Sequence, residues 1–164
     1  MLEITPEHIA ELGDVDLRTL IGRLCEAELA SRGLAVAGVT WGGDQRAADG
    51  GLDVRVALPE GSPLKDFVPR PNTGFQVKRE DMPPASIRAE MRPGNVLRPV
   101  IEELTDLNGS YIIVCSQGST ADRRLRDRRK AMAEAVADWP IMPICISIFT
   151  IGPASPPGSA GMSD

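Results

Sequence analysis

Five consecutive residues, 111–115 (YIIVC), carry no charged side chain, and three of them are β-branched. Turn-forming residues lie on both sides, with Asn108-Gly109 before the run and SQGST after it. A short apolar run bounded in this way is typical of a strand that is buried on both faces of a sheet. Such a strand needs helices on each side, so the run favours an α/β architecture.

Helical and strand patterns alternate around this run. One helix is predicted to start at Thr5-Pro6, and further helices are predicted over residues 17–33, 87–91, 96–107 and 121–138. Strands are predicted over residues 34–40, 52–58, 75–78, 111–115 and 144–151. This order predicts one α/β domain over residues 1–152, with a mixed central sheet flanked by helices on both faces. Residues 153–164 are rich in Pro, Gly and Ser and are predicted to be a disordered tail.

Composition and motifs argue against several classes of function. A net charge of −5 disfavours a passive nucleic-acid coat, so any such binding must come from a local basic patch. The single histidine, His8, disfavours hydrolases that need a catalytic histidine, and no GxxxxGK[ST] motif for nucleotide binding is present. The three cysteines form no CxxC pair, and no secretory signal or membrane-spanning stretch is visible. We therefore expect a cytoplasmic protein with reduced thiols and no membrane partner.

Three polar residues in neighbouring predicted strands suggest phosphodiester chemistry. Asp53 follows a glycine-rich turn (DGGLDV), and Gln76 and Lys78 alternate with Val77 in FQVK. The two-residue period of a strand places Gln76 and Lys78 on one face. Phosphodiester hydrolysis needs a metal held by oxygen ligands, an activated water and a cation facing the phosphate, and these side chains can supply the required groups.

The two strings DGGLD and QVK together resemble the PD-(D/E)xK nuclease superfamily, and most closely its Mrr-like restriction endonuclease branch. The resemblance covers about residues 17–138 and implies a restriction-endonuclease-like fold with an αβββαβ core. It implies that Asp53 and Gln76 bind Mg²⁺, for which Mn²⁺ can substitute, and that Lys78 is the catalytic cation. It further implies an endonuclease acting on double-stranded DNA in restriction or anti-phage defence.

The chain departs from the pattern of this family in two places. The connection between Asp53 and Gln76 is longer than in compact members and contains several prolines. The family also supplies a glutamate near the start of the first core helix, where Gly22 stands in this chain. Glu28, on the predicted inward face of that helix, is the candidate for the missing catalytic acid, and Glu26 is the alternative.

Three further features admit a structural and a functional interpretation. Six basic residues lie within eight positions of the last predicted helix: Arg123, Arg124, Arg126, Arg128, Arg129 and Lys130. They form either a solvated helix face or a surface for DNA phosphates, with Arg123, Arg124 and Lys130 as the predicted contacts. Trp41 either stacks on a base or packs in the core, and Asp49 is expected to shape the turn rather than bind metal.

Alternative functions remain open at this stage. The chain could be a catalytically weak module with a nuclease-like fold that binds nucleic acid or a partner protein. It could also be the effector domain of a larger system that contains an NTPase or a sensor. A homodimer would supply the two centres needed to cut both strands of a duplex.

Overall fold

A computed structural model of the chain describes residues 3–42, 51–64, 66–118 and 121–139, and the backbone of residues 145–150. The helices are α1 Pro6–Ala10, α2 Asp14–Ser31, α3 Pro84–Met91, α4 Pro99–Asp106 and α5 Asp122–Ala135, and the strands are β1 Val39–Trp41, β2 Val54–Ala57, β3 Asn72–Lys78, β4 Ser110–Cys115 and β5 Cys145–Thr150. Asp49 and the predicted tail, 153–164, lie outside these ranges.

The strands form a mixed sheet in the order β1-β2-β3-β4-β5. The first three strands pair in an antiparallel manner, whereas β3 with β4 and β4 with β5 are parallel. Every residue of β4 is buried, which confirms the prediction of a central strand covered on both faces. The long connection after β2 returns the chain to pair β3 with β2, as predicted.

Each face of the sheet carries its own hydrophobic core. On one face, α2 packs its buried stripe against alternate residues of β2, β3 and β4, including Val54, Phe75 and Ile112. On the other face, α3, α4 and α5 cover Tyr111, Ile113 and Cys115 of β4. The strand alternation therefore sends successive β4 residues into opposite cores, and the predicted mixed α/β sheet with helices on both faces is confirmed.

Local sequence signals explain how the first helices begin and end. Thr5 accepts a hydrogen bond from the His8 N–H, and the His8 side chain accepts one from the Thr5 N–H. His8 is therefore part of a helix cap. Gly33 has a φ of +69° just after α2, where the left-handed conformation ends the helix as predicted.

Several predicted boundaries were wrong. Residues 34–40 do not form one strand, because Val36–Gly38 is a 3₁₀ turn and only the last part enters β1. The helix predicted over 96–107 begins later, at Pro99, since proline forces the preceding Arg98 into an extended conformation (ψ 133°). The last long helix ends at Ala135 rather than near Asp138.

Two findings concern the described helices and cysteines. None of the helices within the described ranges is long and apolar enough to cross a membrane. Cys25 and Cys115 are buried, and neither forms a disulfide. The side chain of Cys145 lies outside the described part of the chain.

Candidate functional site

Asp53 lies immediately before β2, and hydrogen bonds hold both its backbone and its side chain against β3. Its N–H donates to the carbonyl of Phe75 (2.9 Å), and its Oδ2 accepts from the N–H of Val77 (2.8 Å). The carboxylate thereby takes the place of a backbone acceptor next to the end of β3. Gly51, two residues earlier, has a φ of +89°, which a glycine adopts without strain.

Gln76 and Lys78 lie on the same face of β3, with Val77 pointing into the opposite core. They pair in parallel register with Ile113 and Cys115, so they face the side of the sheet covered by α3, α4 and α5. Gln76 is 7% exposed, and its buried Oε1 accepts no hydrogen bond from the residues that the structure describes. The structure thus brings the three residues predicted from the DGGLD and QVK strings to one end of β3.

Arg18, in the first turns of α2, forms an ion pair with Asp53 that sequence reasoning missed. The Arg18 Nε lies 3.0 Å from Asp53 Oδ1, and the two side chains are 15% and 14% exposed. Asp53 therefore has one oxygen on a backbone N–H and the other beside a guanidinium. A residue that faces a site from a separate helix gives no local signal in the sequence, so this contact could not be predicted.

Glu90 on α3 is the acidic residue that contacts Lys78. Its Oε2 lies 3.2 Å from Lys78 Nζ, and its Oε1 lies 2.7 Å from Arg98 Nη2. Arg98 also donates from Nε to the Glu90 carbonyl. Glu90 comes three residues after the buried Ile87, on the inward side of a short helix, and this spacing is the sequence signal that could have indicated it.

Arg98 links this acidic residue to the turn before Asp53. A Cβ added to Gly51 would lie 2.5 Å from Arg98 Nη1, so the guanidinium packs directly on the glycine backbone. Gly51 is favoured at this position by its positive φ. Contacts therefore run from the turn before Asp53 through Arg98 and Glu90 to Lys78.

Tyr111 places a second unpartnered oxygen beneath the same charged groups. The residue is fully buried, and its hydroxyl has no hydrogen-bond partner. Burial raises the pKa of this hydroxyl above its ordinary value; the nearby Glu90 and Asp53 carboxylates raise it further, and Arg98 opposes them. The Tyr111 hydroxyl is therefore a neutral donor and acceptor within electrostatic range of both carboxylates.

The two glutamates predicted from the sequence have other partners. Glu28 accepts a hydrogen bond from the N–H of Val68 through Oε2 (2.8 Å), and it lies ten residues after Arg18. Ten helical residues span about 15 Å, so Glu28 is held away from Asp53. The inward orientation of Glu28 was predicted correctly, but its structural partner is the connection between β2 and β3 rather than the site.

Glu26 and Trp41 contact each other at the outer end of the sheet. Trp41 Nε1 donates to Glu26 Oε1 (3.1 Å), and Arg23 lies over the indole ring at 5.1 Å from its centroid. The ring packs so closely on Gly22 that an added Cβ would lie 2.5 Å away from it. Of the two interpretations of Trp41, packing is the one that this geometry supports, and Glu26 is occupied by the same contact.

The basic segment of α5 is divided between the surface and the interior. Arg123, Arg124 and Lys130 are exposed, as their predicted role requires. Arg128 is only 2% exposed and pairs with Asp81, so it does not belong to a solvated face. The helix follows β4, whose Cys115 pairs with Lys78, and its first turn therefore lies near the same edge of the sheet.

A cleft of about 340 Å³ lies between this helix and the segment after β3. Its lining residues are Asp81, Pro83, Pro84, Arg124, Asp127 and Arg128. Two carboxylates balance two guanidinium groups there, so the cleft has no net charge to attract an anion. The exposed arginines at the start of α5, rather than the cleft, are the groups available to a polyanion.

Three oxygen-bearing side chains near the end of β3 could hold a small divalent cation. They are the Asp53 and Glu90 carboxylates, which form ion pairs, and the carboxamide of Gln76, whose Oε1 accepts no hydrogen bond from the described residues. Within the described ranges, no group of three or more His, Cys, Asp or Glu side chains is placed to hold a metal ion. Magnesium does not need such a cage, because it commonly uses one or two carboxylates and completes its octahedron with waters and substrate phosphates.

Comparisons of the chain with protein-family models, curated proteins and solved structures found no match. The basis for a functional assignment is therefore the geometry of Asp53, Gln76, Lys78 and Glu90.

Proposed function

We propose that this protein is a metal-dependent endonuclease that hydrolyses DNA phosphodiester bonds, of the PD-(D/E)xK type and with a restriction-endonuclease-like fold. One observation carries the proposal. A hydrogen bond from the Val77 N–H fixes the Asp53 carboxylate against β3, at the residue that lies between Gln76 and Lys78 in the strand. This bond supports a site that combines a carboxylate, a carboxamide oxygen and an ammonium group at the end of β3.

Each of these groups has a role in the proposed reaction. Asp53 and Gln76 would hold Mg²⁺ or Mn²⁺. The bound cation would lower the pKa of a water and neutralise charge on the phosphate. Lys78 would donate from Nζ to the non-bridging phosphate oxygens, where negative charge grows in the transition state.

Glu90 and Arg98 are proposed as positioning residues for Lys78. A lysine side chain has four rotatable bonds, so holding Nζ in one place requires a partner. Glu90 Oε2 supplies that partner at 3.2 Å, and Arg98 fixes Glu90 through its second oxygen. Lys78 remains 34% exposed, which leaves its ammonium accessible to a polyanionic substrate.

The remaining parts of the proposal concern partners and setting. Arg123, Arg124 and Lys130 would contact phosphates of double-stranded DNA, since all three are exposed on one helix. A role in restriction or anti-phage defence follows from the resemblance of the DGGLD and QVK strings to the Mrr-like branch. A cytoplasmic location is proposed from the cysteine pattern, and a homodimer is proposed because cutting both strands of a duplex needs two centres. Action as the effector domain of a larger NTPase or sensor system is the alternative setting.

Cleavage of supercoiled plasmid with Mg²⁺ or Mn²⁺ tests the proposal. We expect nicked or linear product from the wild-type protein and at least about a 100-fold lower rate from Asp53→Asn and Lys78→Met. Asparagine keeps an oxygen for the Val77 N–H, and methionine keeps most of the lysine stem, so neither change should unfold the protein. Single-stranded DNA and RNA in parallel reactions define the substrate.

Glu103→Gln is the matched control, because Glu103 forms an exposed ion pair with Arg55 and lies outside the site. It should cleave like the wild type. If Asp53→Asn and Lys78→Met cut as fast as Glu103→Gln, the assigned roles are wrong. Cleavage that persists in excess EDTA would contradict the requirement for a metal.

A second candidate function is a module that binds DNA or a partner protein without cutting. The observation that favours it is the internal pairing of the site, in which Arg18 neutralises Asp53 and Glu90 neutralises Lys78. This candidate predicts salt-dependent retention of DNA that is unchanged by EDTA and by Asp53→Asn. An electrophoretic mobility shift series with and without Mg²⁺ separates it from the nuclease.

A further inference from the structure

The Arg18–Asp53 ion pair involves a carboxylate that the proposed cation would use. Arg18 Nε lies 3.0 Å from Asp53 Oδ1, and the second oxygen, Oδ2, already accepts from the Val77 N–H. Both side chains are about 85% buried. A carboxylate oxygen has two acceptor sites, and the guanidinium lies beside Oδ1 at ion-pair distance.

Electrostatics make the arginine and a divalent cation competitors. A divalent ion bound to Asp53 would lie within a few ångströms of the guanidinium, where like charges in a partly buried site repel strongly. The Gln76 Oε1, which is buried and without a partner, is the neighbouring oxygen that the cation would gain. The two ligands therefore cannot be used together while Arg18 keeps its present position.

We propose that Arg18 is an internal competitor for the cation site, so that a divalent cation binds Asp53 and Gln76 only when the guanidinium moves away. This inference rests on the proposed cation site. Its consequence is a low affinity for free cation, and a substrate phosphate that attracts Arg18 would raise that affinity. Arg18 is thus a determinant of when the cation binds, and Asp53 and Gln76 determine where it binds.

Direct titration with Mn²⁺ in the absence of DNA tests this inference. Free Mn²⁺ is measured by electron paramagnetic resonance for the wild type, Arg18→Gln and Arg18→Lys. We expect Arg18→Gln to bind Mn²⁺ about tenfold more tightly than the wild type, because it removes one competing charge. Arg18→Lys keeps the charge and should bind close to wild-type affinity.

Arg55→Gln is the matched control, since Arg55 also pairs with a carboxylate but contacts Glu103 instead of Asp53. Its Mn²⁺ affinity should be unchanged. A purely structural role for Arg18 would lower ligand affinity on its removal, so a gain distinguishes the two roles. Circular dichroism verifies that each variant is folded, and Arg18→Met gives a second uncharged variant if the glutamine protein is unstable.

The outcomes separate this inference from the proposed function. Measurable Mn²⁺ binding with equal affinity in the wild type and in both uncharged variants would overturn the role of Arg18 and leave the cation site intact. If none of these proteins binds Mn²⁺, the inference and the proposed cation site are both wrong. A tenfold gain that disappears in the double variant Arg18→Gln/Asp53→Asn would support both.

Discussion

Two glutamates, Glu28 and Glu90, are hidden from solvent to nearly the same degree, with 10% and 15% of their side chains exposed. Their partners give them different roles. Glu28 accepts the N–H of Val68 and so fixes the connection between β2 and β3, whereas Glu90 contacts the ammonium of Lys78. At the scale of the residue, a buried carboxylate must be assigned from the group it contacts.

This difference leads to opposite expectations for substitution. We expect Glu28→Ala to lower the free energy of unfolding by about 1–3 kcal/mol, because the buried Val68 N–H loses its acceptor. The cleavage rate per folded molecule should stay within about twofold of wild type. Urea denaturation and the plasmid assay measure the two quantities.

Glu90→Gln should have the reverse effect. Loss of the charge that holds Lys78 Nζ should reduce the cleavage rate by about 100-fold, while unfolding changes little because the pair is partly exposed. A variant at Glu28 that cuts more slowly than Glu90→Gln, with stability unchanged, would show that the two roles are exchanged.

The sequence predicts part of this site because strand alternation is a local property. Gln76 and Lys78 had to share a face once 75–78 was recognised as a strand, and Asp53 came from the strand that pairs with it. Arg18 and Glu90 reach the site from α2 and α3, more than ten residues from the strand residues that they contact. Spacing within α3 could indicate that Glu90 faces inward, but no periodicity within one segment predicts a contact between two segments, so these contacts could be found only from the fold.

At the scale of the element, hydrophobic pattern predicted the type and order of the helices and strands better than their ends. β4 was predicted from its continuous apolar run, which a buried strand requires. α4 was predicted to begin at Val96, three residues before its proline, although the conformational restriction before Pro99 could have indicated the true start. The interior position of Arg128 was not predictable, because its acidic partner, Asp81, belongs to another segment.

The exposed cations of α5 lead to a prediction about binding to DNA. Changing Arg123, Arg124 and Lys130 together to Gln should weaken DNA binding. The change should also reduce the slope of log affinity against log salt concentration by about 3, one unit for each lost phosphate contact. Fluorescence anisotropy of a labelled duplex at several salt concentrations measures this slope. The control is Arg23→Gln, which removes an exposed charge on α2. If Arg23→Gln reduces the salt slope by the same amount, a specific role for α5 is wrong.

At the scale of the whole molecule, the sheet separates two cores, and each contains buried ionisable groups. Burial raises the pKa of Cys25, in the core beneath α2, to about 12, and the Glu28 and Glu26 charges add to the effect. In the core on the other face, burial raises the pKa of Cys115 to about 11. Both thiols are therefore neutral in the folded protein under conditions that ionise them in the unfolded chain.

Stability should fall in alkaline solution as a result. In the folded protein, the pKa values of both thiols lie above the ordinary value of 9.0. The stability that depends on neutral thiols is therefore fully present below pH 9 and is lost as pH rises toward 11 and 12. Each thiol contributes a slope of up to about 1.4 kcal/mol per pH unit. Urea denaturation at about pH 8 and about pH 10.5 measures the loss.

The double variant Cys25→Ala/Cys115→Ala is the control for this effect. It should have a lower stability at neutral pH, because two cavities are introduced, but a shallower decline with pH. Tyr111 contributes further loss only above its own ordinary value of 10.0. A decline that is equally steep in the double variant would assign the alkaline sensitivity to other groups.

The bond from the Val77 N–H to Asp53 Oδ2 has a practical consequence for anyone who needs an inactive form of this protein. An alanine at position 53 would remove a proposed ligand and would also leave a backbone amide of β3 without its acceptor. A loss of activity in such a protein would then have two causes that cannot be separated, the missing ligand and the disturbed sheet. Among the residues that the structure describes, the Lys78 side chain makes no such bond to the backbone, so Lys78→Met is the better choice for an inactive protein that still binds substrate.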